Sequence, residues 1–230
     1  MRNSALCLAL AFLLSLPVLA ANTPAACAPG MNPLPGSRVL VDIPMPPEPI
    51  SAICWEDEAA FMVSLLDGWQ NAPEAAERLG VCFMGILSGT NFDDSPAILY
   101  PRIFPRPLDQ TPAQAADKAA QSVYRKLSRL PGGENMAVRP GKSFISPQDL
   151  PVEIRYFDNG PYPNVFEAAA YVTYHTASLG LILSATTREN RDAFLPVLLQ
   201  VAREVYSMQV RDKRNHDSSA TPPNTSYPQP

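Results

Sequence analysis

Histidine is almost missing from this chain. Two occur in 230 residues, His175 and His216. No His-Glu-x-x-His, Cys-x-x-Cys, Gly-x-Gly-x-x-Gly, phosphate-binding loop or Gly-x-Ser-x-Gly elbow stands in it either. These absences argue against a histidine-rich metal centre and the common nucleophile–base pairs, and we assign no catalytic residue. Positive charge is also scarce: 18 Lys and Arg stand against 22 Asp and Glu, for a net charge of −4. Without a basic stripe to neutralise phosphates, nucleic acid is not expected as a partner. Apolar runs long enough to span a bilayer, about 20 residues, are lacking as well.

The longest apolar run stands at the start, Ala5 to Ala21, preceded by Arg2 and closed by small residues. One positive charge, about fifteen apolar residues and a small-residue exit are the pattern of a secretory signal peptide. We read 1–21 as that leader, cut after Ala20 or Ala21; an uncleaved anchor is the alternative. Lipidation at Cys27 is disfavoured, because Pro24 stands where such sites carry Leu. The mature protein is expected to be secreted or periplasmic, with no stable membrane span. About 209 residues remain, enough for one domain with a real core.

Three of the four cysteines outlast the leader: Cys27, Cys54 and Cys82. An oxidising compartment favours one disulfide and one leftover thiol, and three pairings are possible. The expected bridge is Cys27–Cys54, flanking a Pro-rich stretch. Cys82, inside the apolar run Val81 to Leu87, is then expected as a small buried thiol.

Proline is abundant, 26 residues, about twice the usual share. It crowds 29–49, 96–112 and 222–230, which excludes long helices there. We therefore divide the chain into a Pro-rich lead-in (22–55), a domain (56–210) and a polar, Pro-rich disordered tail (211–230). Within the domain, strands are expected at 56–66, 80–88 and 97–104. Pro101 should place the third at a sheet edge or a bulge. Thr111 and Pro112 mark the start of a helix whose apolar positions (Ala113, Ala116, Ala120, Val123, Tyr124, Leu127) recur at three and four residues until Pro131-Gly132-Gly133. Short strands follow near 136–138 and 143–145, then an alternating strand at 152–157. Two β-rich runs, Val165 to Thr176 and Leu179 to Thr187, read as a hairpin turning at Ala177-Ser178. Gly180 marks a bulge or a close backbone approach. A final helix is expected from Glu189 to Met208.

Strands, helix, hairpin and helix in this order describe an α+β domain, an antiparallel β-sheet covered by helices. The run from Phe61 into Leu66-Asp67-Gly68-Trp69 resembles the strand leading into Pro-x-Gly-Trp of PsbP-like proteins. That family shares an α/β/α sandwich with the Ran-binding Mog proteins. The resemblance continues through Ala115-Ala116-Asp117, Glu167 to Tyr171, Leu181 to Thr186 and Tyr206-Ser207, covering about 56–208. Leu66 stands where the family has Pro. What the resemblance implies is a non-enzymatic accessory or binding domain.

The remaining candidates follow from side-chain chemistry. Asp93 and Asp94, like Glu56-Asp57-Glu58, are clustered carboxylates that could take calcium or serve as an acid–base pair; a solvated turn is the simpler expectation. His175 is expected as a sheet residue facing solvent or a polar partner, not a metal ligand. Tyr162, in Gly160-Pro161-Tyr162-Pro163, is a candidate binding anchor if it is rigid and exposed. We expect a non-enzymatic protein-binding factor of adaptor or immunity type, with a protein partner in the cell envelope and no cofactor. A small-ligand or calcium-binding protein is the alternative, and an enzyme of unrecognised type the third.

Overall fold

The computed structural model describes residues 38–41, 52–56 and 59–212. The expected leader, Cys27 and the tail beyond 212 lie outside these residues. The elements, in order, are β1 (Arg38–Val41), β2 (Ala52–Glu56), β3 (Ala59–Val63), β4 (Trp69–Asn71), α1 (Pro73–Leu79), β5 (Gly85–Leu87), β6 (Ala97–Pro105), α2 (Pro112–Leu127), β7 (Ala137–Pro140), β8 (Phe144–Ile145), β9 (Pro151–Asp158), β10 (Phe166–Tyr174), β11 (Ala177–Ala185), α3 (Arg188–Arg203) and β12 (Tyr206–Asp212).

The central hairpin β10–β11 is apolar on both faces, so layers cover it on both sides. It anchors an eight-stranded antiparallel sheet of order β4-β5-β6-β11-β10-β9-β7, with β8 also paired to β9. Strand β5 pairs with β6 only at Leu99 and Ile98, so from Pro101 onward β6 is an edge on that side, where a missing donor is tolerated. The register between Gly180 and its partners Tyr171 and Arg102 is unbroken. Gly180 is therefore a close approach and not a bulge: a Cβ there would lie 2.8 Å from Phe104 Cε2 and 3.2 Å from Tyr171 Cε1.

The hairpin turns at His175-Thr176, not at the expected Ala177-Ser178. Ser178 belongs to the strand, where its hydroxyl lies 3.1 Å from that of Thr173. His175 takes the left-handed conformation, φ 43°, which histidine tolerates better than most side chains.

Helix α2 lies on one face of the sheet and follows its sequence signals. Thr111 accepts from Gln114 N, and the Gln114 side chain accepts from Thr111 N, a complete capping box. Ala115, Ala116, Ala119, Ala120, Val123 and Leu127 are buried on that face, where α1 contributes Ala75 and Ala76 to the same cluster. Helix α3 covers the opposite face, burying Leu198, Val201 and Ala202. Trp69 packs edge-on against Phe194 of α3, in a turn whose Gly68 needs its φ of 83°.

A second sheet, of order β1-β12-β3-β2 and antiparallel throughout, shares that face with α3. Phe61, Val63 and Cys54 point inward to the main core, while Ile53, Ala60, Met62, Met208 and Val210 form a cluster on its outer face. This sheet corrects three expectations. Residues 38–41 and 52–56, read as lead-in, are strands of the folded unit. The final helix ends at Arg203, and 206–212 is a strand. The apolar stripe ending Val201-Ala202-Val205 hands over to the two-residue alternation Tyr206, Met208, Val210. The strand also runs two residues beyond the expected boundary at 210.

The disulfide expectation is corrected as well. Cys54 is bonded to Cys82, with a Cα–Cα distance of 5.6 Å. Cys82 is not a free thiol in a strand, because strand structure begins only at Gly85 and residues 81–84 form an irregular approach to it. That geometry lets its sulfur face β2.

Candidate functional site

Asp158 ends β9, and the chain returns to β10 through Asn159, Gly160, Pro161, Tyr162, Pro163, Asn164 and Val165. Asn159 is left-handed, φ 54°, which turns the chain back over the sheet. Val165 N donates to Tyr162 O at 3.1 Å and closes the loop on itself. The loop rests on the turn that ends α2. Gly132, φ 86°, leaves room for Pro161, whose carbonyl oxygen would lie 3.1 Å from a Cβ there.

Beneath this loop is a small cavity lined by Leu127, Met136, Phe157, Tyr162, Val165 and Glu167. Its free space is of the size that holds about one water. Tyr162 is half-buried and packs against the α2-side core. The expectation of an exposed anchor is therefore corrected: the two flanking prolines do present a stiff ring, but they turn it inward. Burial also pushes the Tyr162 hydroxyl above its ordinary range.

Glu167 was not singled out in the sequence. It is buried, 5% exposed, on the α2 side of the sheet. The Tyr100 hydroxyl donates to its Oε1 at 3.3 Å. Across the strand register stands Ser184, whose hydroxyl is buried beside the carboxyl. Burial pushes the Glu167 carboxyl up to about 7, against the opposing pull of the Tyr100 and Ser184 hydroxyls and of Arg102. Burial and the nearby carboxylate also raise the Tyr100 and Tyr171 hydroxyls. This cluster can hold or release a proton near neutral pH. One signal for it was present in the sequence: a lone carboxylate in a strand otherwise built of Phe, Ala, Tyr, Val and Thr.

Ion pairs flank this region on both faces. Arg155, buried on β9, is held by Asp117 of α2 at 2.8 Å and by Glu153 at 3.2 Å. On the α3 side, Asp158 accepts from Arg191 at 3.0 Å and from Arg139. Burial acts against ionisation of Asp158, but hydrogen bonds from Arg139 and Arg191 hold its carboxyl below the usual range.

The other sequence candidates lie apart from this cluster. Asp93 and Asp94 are exposed in the turn after β5. Asp94 accepts from Asn91 Nδ2 at 2.6 Å, and its N–H donates to Asn91 Oδ1. Among the described residues, no three His, Cys, Asp or Glu side chains are grouped to hold a metal ion. His175 is exposed, at the opposite end of the large sheet from loop 159–165.

That opposite end carries the two large apolar side chains left exposed among the described residues, Leu108 at 71% and Ile145 at 61%. Leu108 lies in 106–110, which Arg106 clamps to the hairpin turn. Arg106 N donates to Thr176 O at 2.6 Å, and its guanidinium donates to His175 O and Gln110 O. Ile145 pairs with Pro151, next to Val152. Val152 in turn pairs with Val172 near the same end of β10.

No family model and no curated protein matches the chain. Solved structures similar to it include the following two. The solution structure of cyanobacterial PsbP (CyanoP) from Synechocystis sp. PCC 6803 is 13% identical, covers 69% of this chain and 94% of its own, and has a TM-score of 0.41. The crystal structure of LpqN, involved in cell envelope biogenesis of Mycobacterium tuberculosis, is 12% identical, with 74% and 90% coverage and a TM-score of 0.44. Both have PsbP-like folds. Among the described residues, no helix is long and apolar enough to cross a membrane.

Proposed function

We propose that this chain is a secreted or periplasmic accessory protein that acts by binding another protein of the cell envelope, without catalysis of its own. The carrying observation is the placement of Leu108 and Ile145. Both project from the His175 end of the large sheet, on segments held in place by the Arg106 clamp and by β-pairing. Exposed apolar side chains on a rigid, polar-rimmed edge gain by being covered, and ordered segments lose little entropy when a partner docks. The leader pattern and the Cys54–Cys82 bond support an oxidising compartment.

A photo-crosslinking amino acid placed at 108, at 145 and, as a control, at exposed Gln121 on α2 tests this in the cells that make the protein. The same partner should be captured from 108 and 145 and not from 121. Capture should be lost in the Leu108→Ser/Ile145→Ser double variant while its melting temperature stays unchanged. No capture from 108 and 145, or equal capture from 121, overturns the reading.

A further inference from the structure

Glu167 is the second residue of β10, two residues beyond the loop with which it lines the cavity. We propose that Glu167 and loop 159–165 form a proton-controlled latch: with the carboxyl protonated the loop packs over it and holds Tyr162 against the core, and loss of the proton releases the loop and exposes Tyr162. The latch lies at the opposite end of the sheet from Leu108 and Ile145 and does not depend on them.

The geometry supports this in three ways. First, a charge on Glu167 has little to meet. The groups around it are Tyr100 and Arg102 of β6, Ser184 of β11, Tyr171 of β10 with Arg155 of β9 beyond it, and Tyr162 of the loop. Arg155 is already engaged by Asp117 and Glu153. Arg102 forms no ion pair with Glu167 and acts on it only through space. The hydroxyls can each offer one donor, and Tyr100 already does. An ion here therefore gains most by reaching water.

Second, the protonated form has a use for its surroundings. A neutral carboxyl both accepts and donates. It keeps the Tyr100 bond and brings a donor as well as an acceptor to the Ser184 hydroxyl across the register.

Third, water is one loop away. The cavity already touches Glu167, and its cover is Tyr162 with its neighbours. Left-handed Asn159, followed by a glycine, supplies a hinge, and Pro161 and Pro163 stiffen the part that moves.

The direction follows from linkage. Glu167 titrates near 7 when covered and near its ordinary 4.5 when wet. The closed form holds the proton more tightly, so closure is favoured at low pH and lost as pH rises through 7. Between pH 5.5 and 8.0 that difference raises the open-to-closed ratio about 30-fold.

Hydrogen exchange read by mass spectrometry over 159–165, corrected for the intrinsic pH effect, tests this on the whole protein. Protection in the unmodified chain should fall about 30-fold from pH 5.5 to 8.0, and in Glu167→Gln it should not change with pH. Constant protection in the unmodified chain, or an unchanged pH effect in Glu167→Gln, overturns the latch. If that variant does not fold, infrared titration of the unmodified protein carrying 13C-labelled glutamate decides. A protonated carboxyl band present at pH 6 and gone by pH 8 supports the latch, and its loss below pH 5 overturns it.

Discussion

Cys54 of β2 is bonded to Cys82 ahead of β5, so the bond ties the four-stranded sheet to the edge of the eight-stranded one. The two cysteines are 28 residues apart. Closing such a loop stabilises by about 3–4 kcal/mol if the native geometry carries no penalty. Cys82→Ser should lower unfolding free energy by that order in urea titrations. Peptide mapping without reductant should return a Cys54–Cys82 linked peptide and leave Cys27 open to alkylation.

Arg191 and Arg139 share Asp158 but differ in exposure, and their removal should differ accordingly. The Arg191 side chain is 4% exposed and that of Arg139 is 54%. Arg191 also lies over the Tyr156 ring at 5.4 Å. Arg191→Ala leaves a buried carboxylate short of a partner and should cost about 3–5 kcal/mol. Arg139→Ala should cost no more than about 1 kcal/mol, since solvent screens that pair. Equal losses in chemical denaturation would contradict this division.

Gly180→Ala should destabilise by about 1–3 kcal/mol, because the added carbon meets two rings packed at a centroid distance of 5.8 Å. Phe104→Leu in the same chain should recover part of the loss, by vacating the nearer contact. A double-mutant cycle measures that recovery directly.

Thermal stability should have its maximum near pH 4–5. Glu167, raised to about 7 by burial, contributes stability fully present below its unfolded value of 4.5 and lost as pH rises through 7. Asp158, held low by its two arginines, contributes stability present above its unfolded value and lost as pH falls through its lowered folded value. For global unfolding, the Glu167 contribution is on the order of 3 kcal/mol between pH 4.5 and 8. Glu167→Gln should flatten the alkaline limb of the melting curve against pH and leave the acid limb in place.

Local signals made much of the large sheet legible. Thr111-Pro112 marked the start of α2, Pro131-Gly132-Gly133 marked its stop, and the two β-rich runs marked the central hairpin. The small sheet was hidden because β1, β2 and β12 are short and lie far apart in sequence. No window holds enough of it to show a period. The end of α3 was misread for a related reason: Val205 and Tyr206 extend a helical stripe until Met208 and Val210 reveal the alternation. Glu167 escaped notice because one carboxylate on a strand ordinarily marks a wet face, and here both faces are covered. The inward turn of Tyr162 was invisible for a similar reason. It depends on Gly132, thirty residues earlier, leaving space for Pro161.

The place of β12 governs the order in which the fold can be completed. It pairs with β1 on one side and β3 on the other, joining Arg38 to Asp212. One of the two central strands of that sheet is thus made after every other strand described. A chain leaving a ribosome or a translocation channel carries β1 and β3 without the strand that joins them. The outer cluster of Met62 and Ile53 lacks Met208 and Val210 until the end. Assembly of this layer therefore waits for 206–212, and the long loop it closes makes it a slow step. The polypeptide stays unfinished, and so still threadable, until 206–212 has cleared the channel.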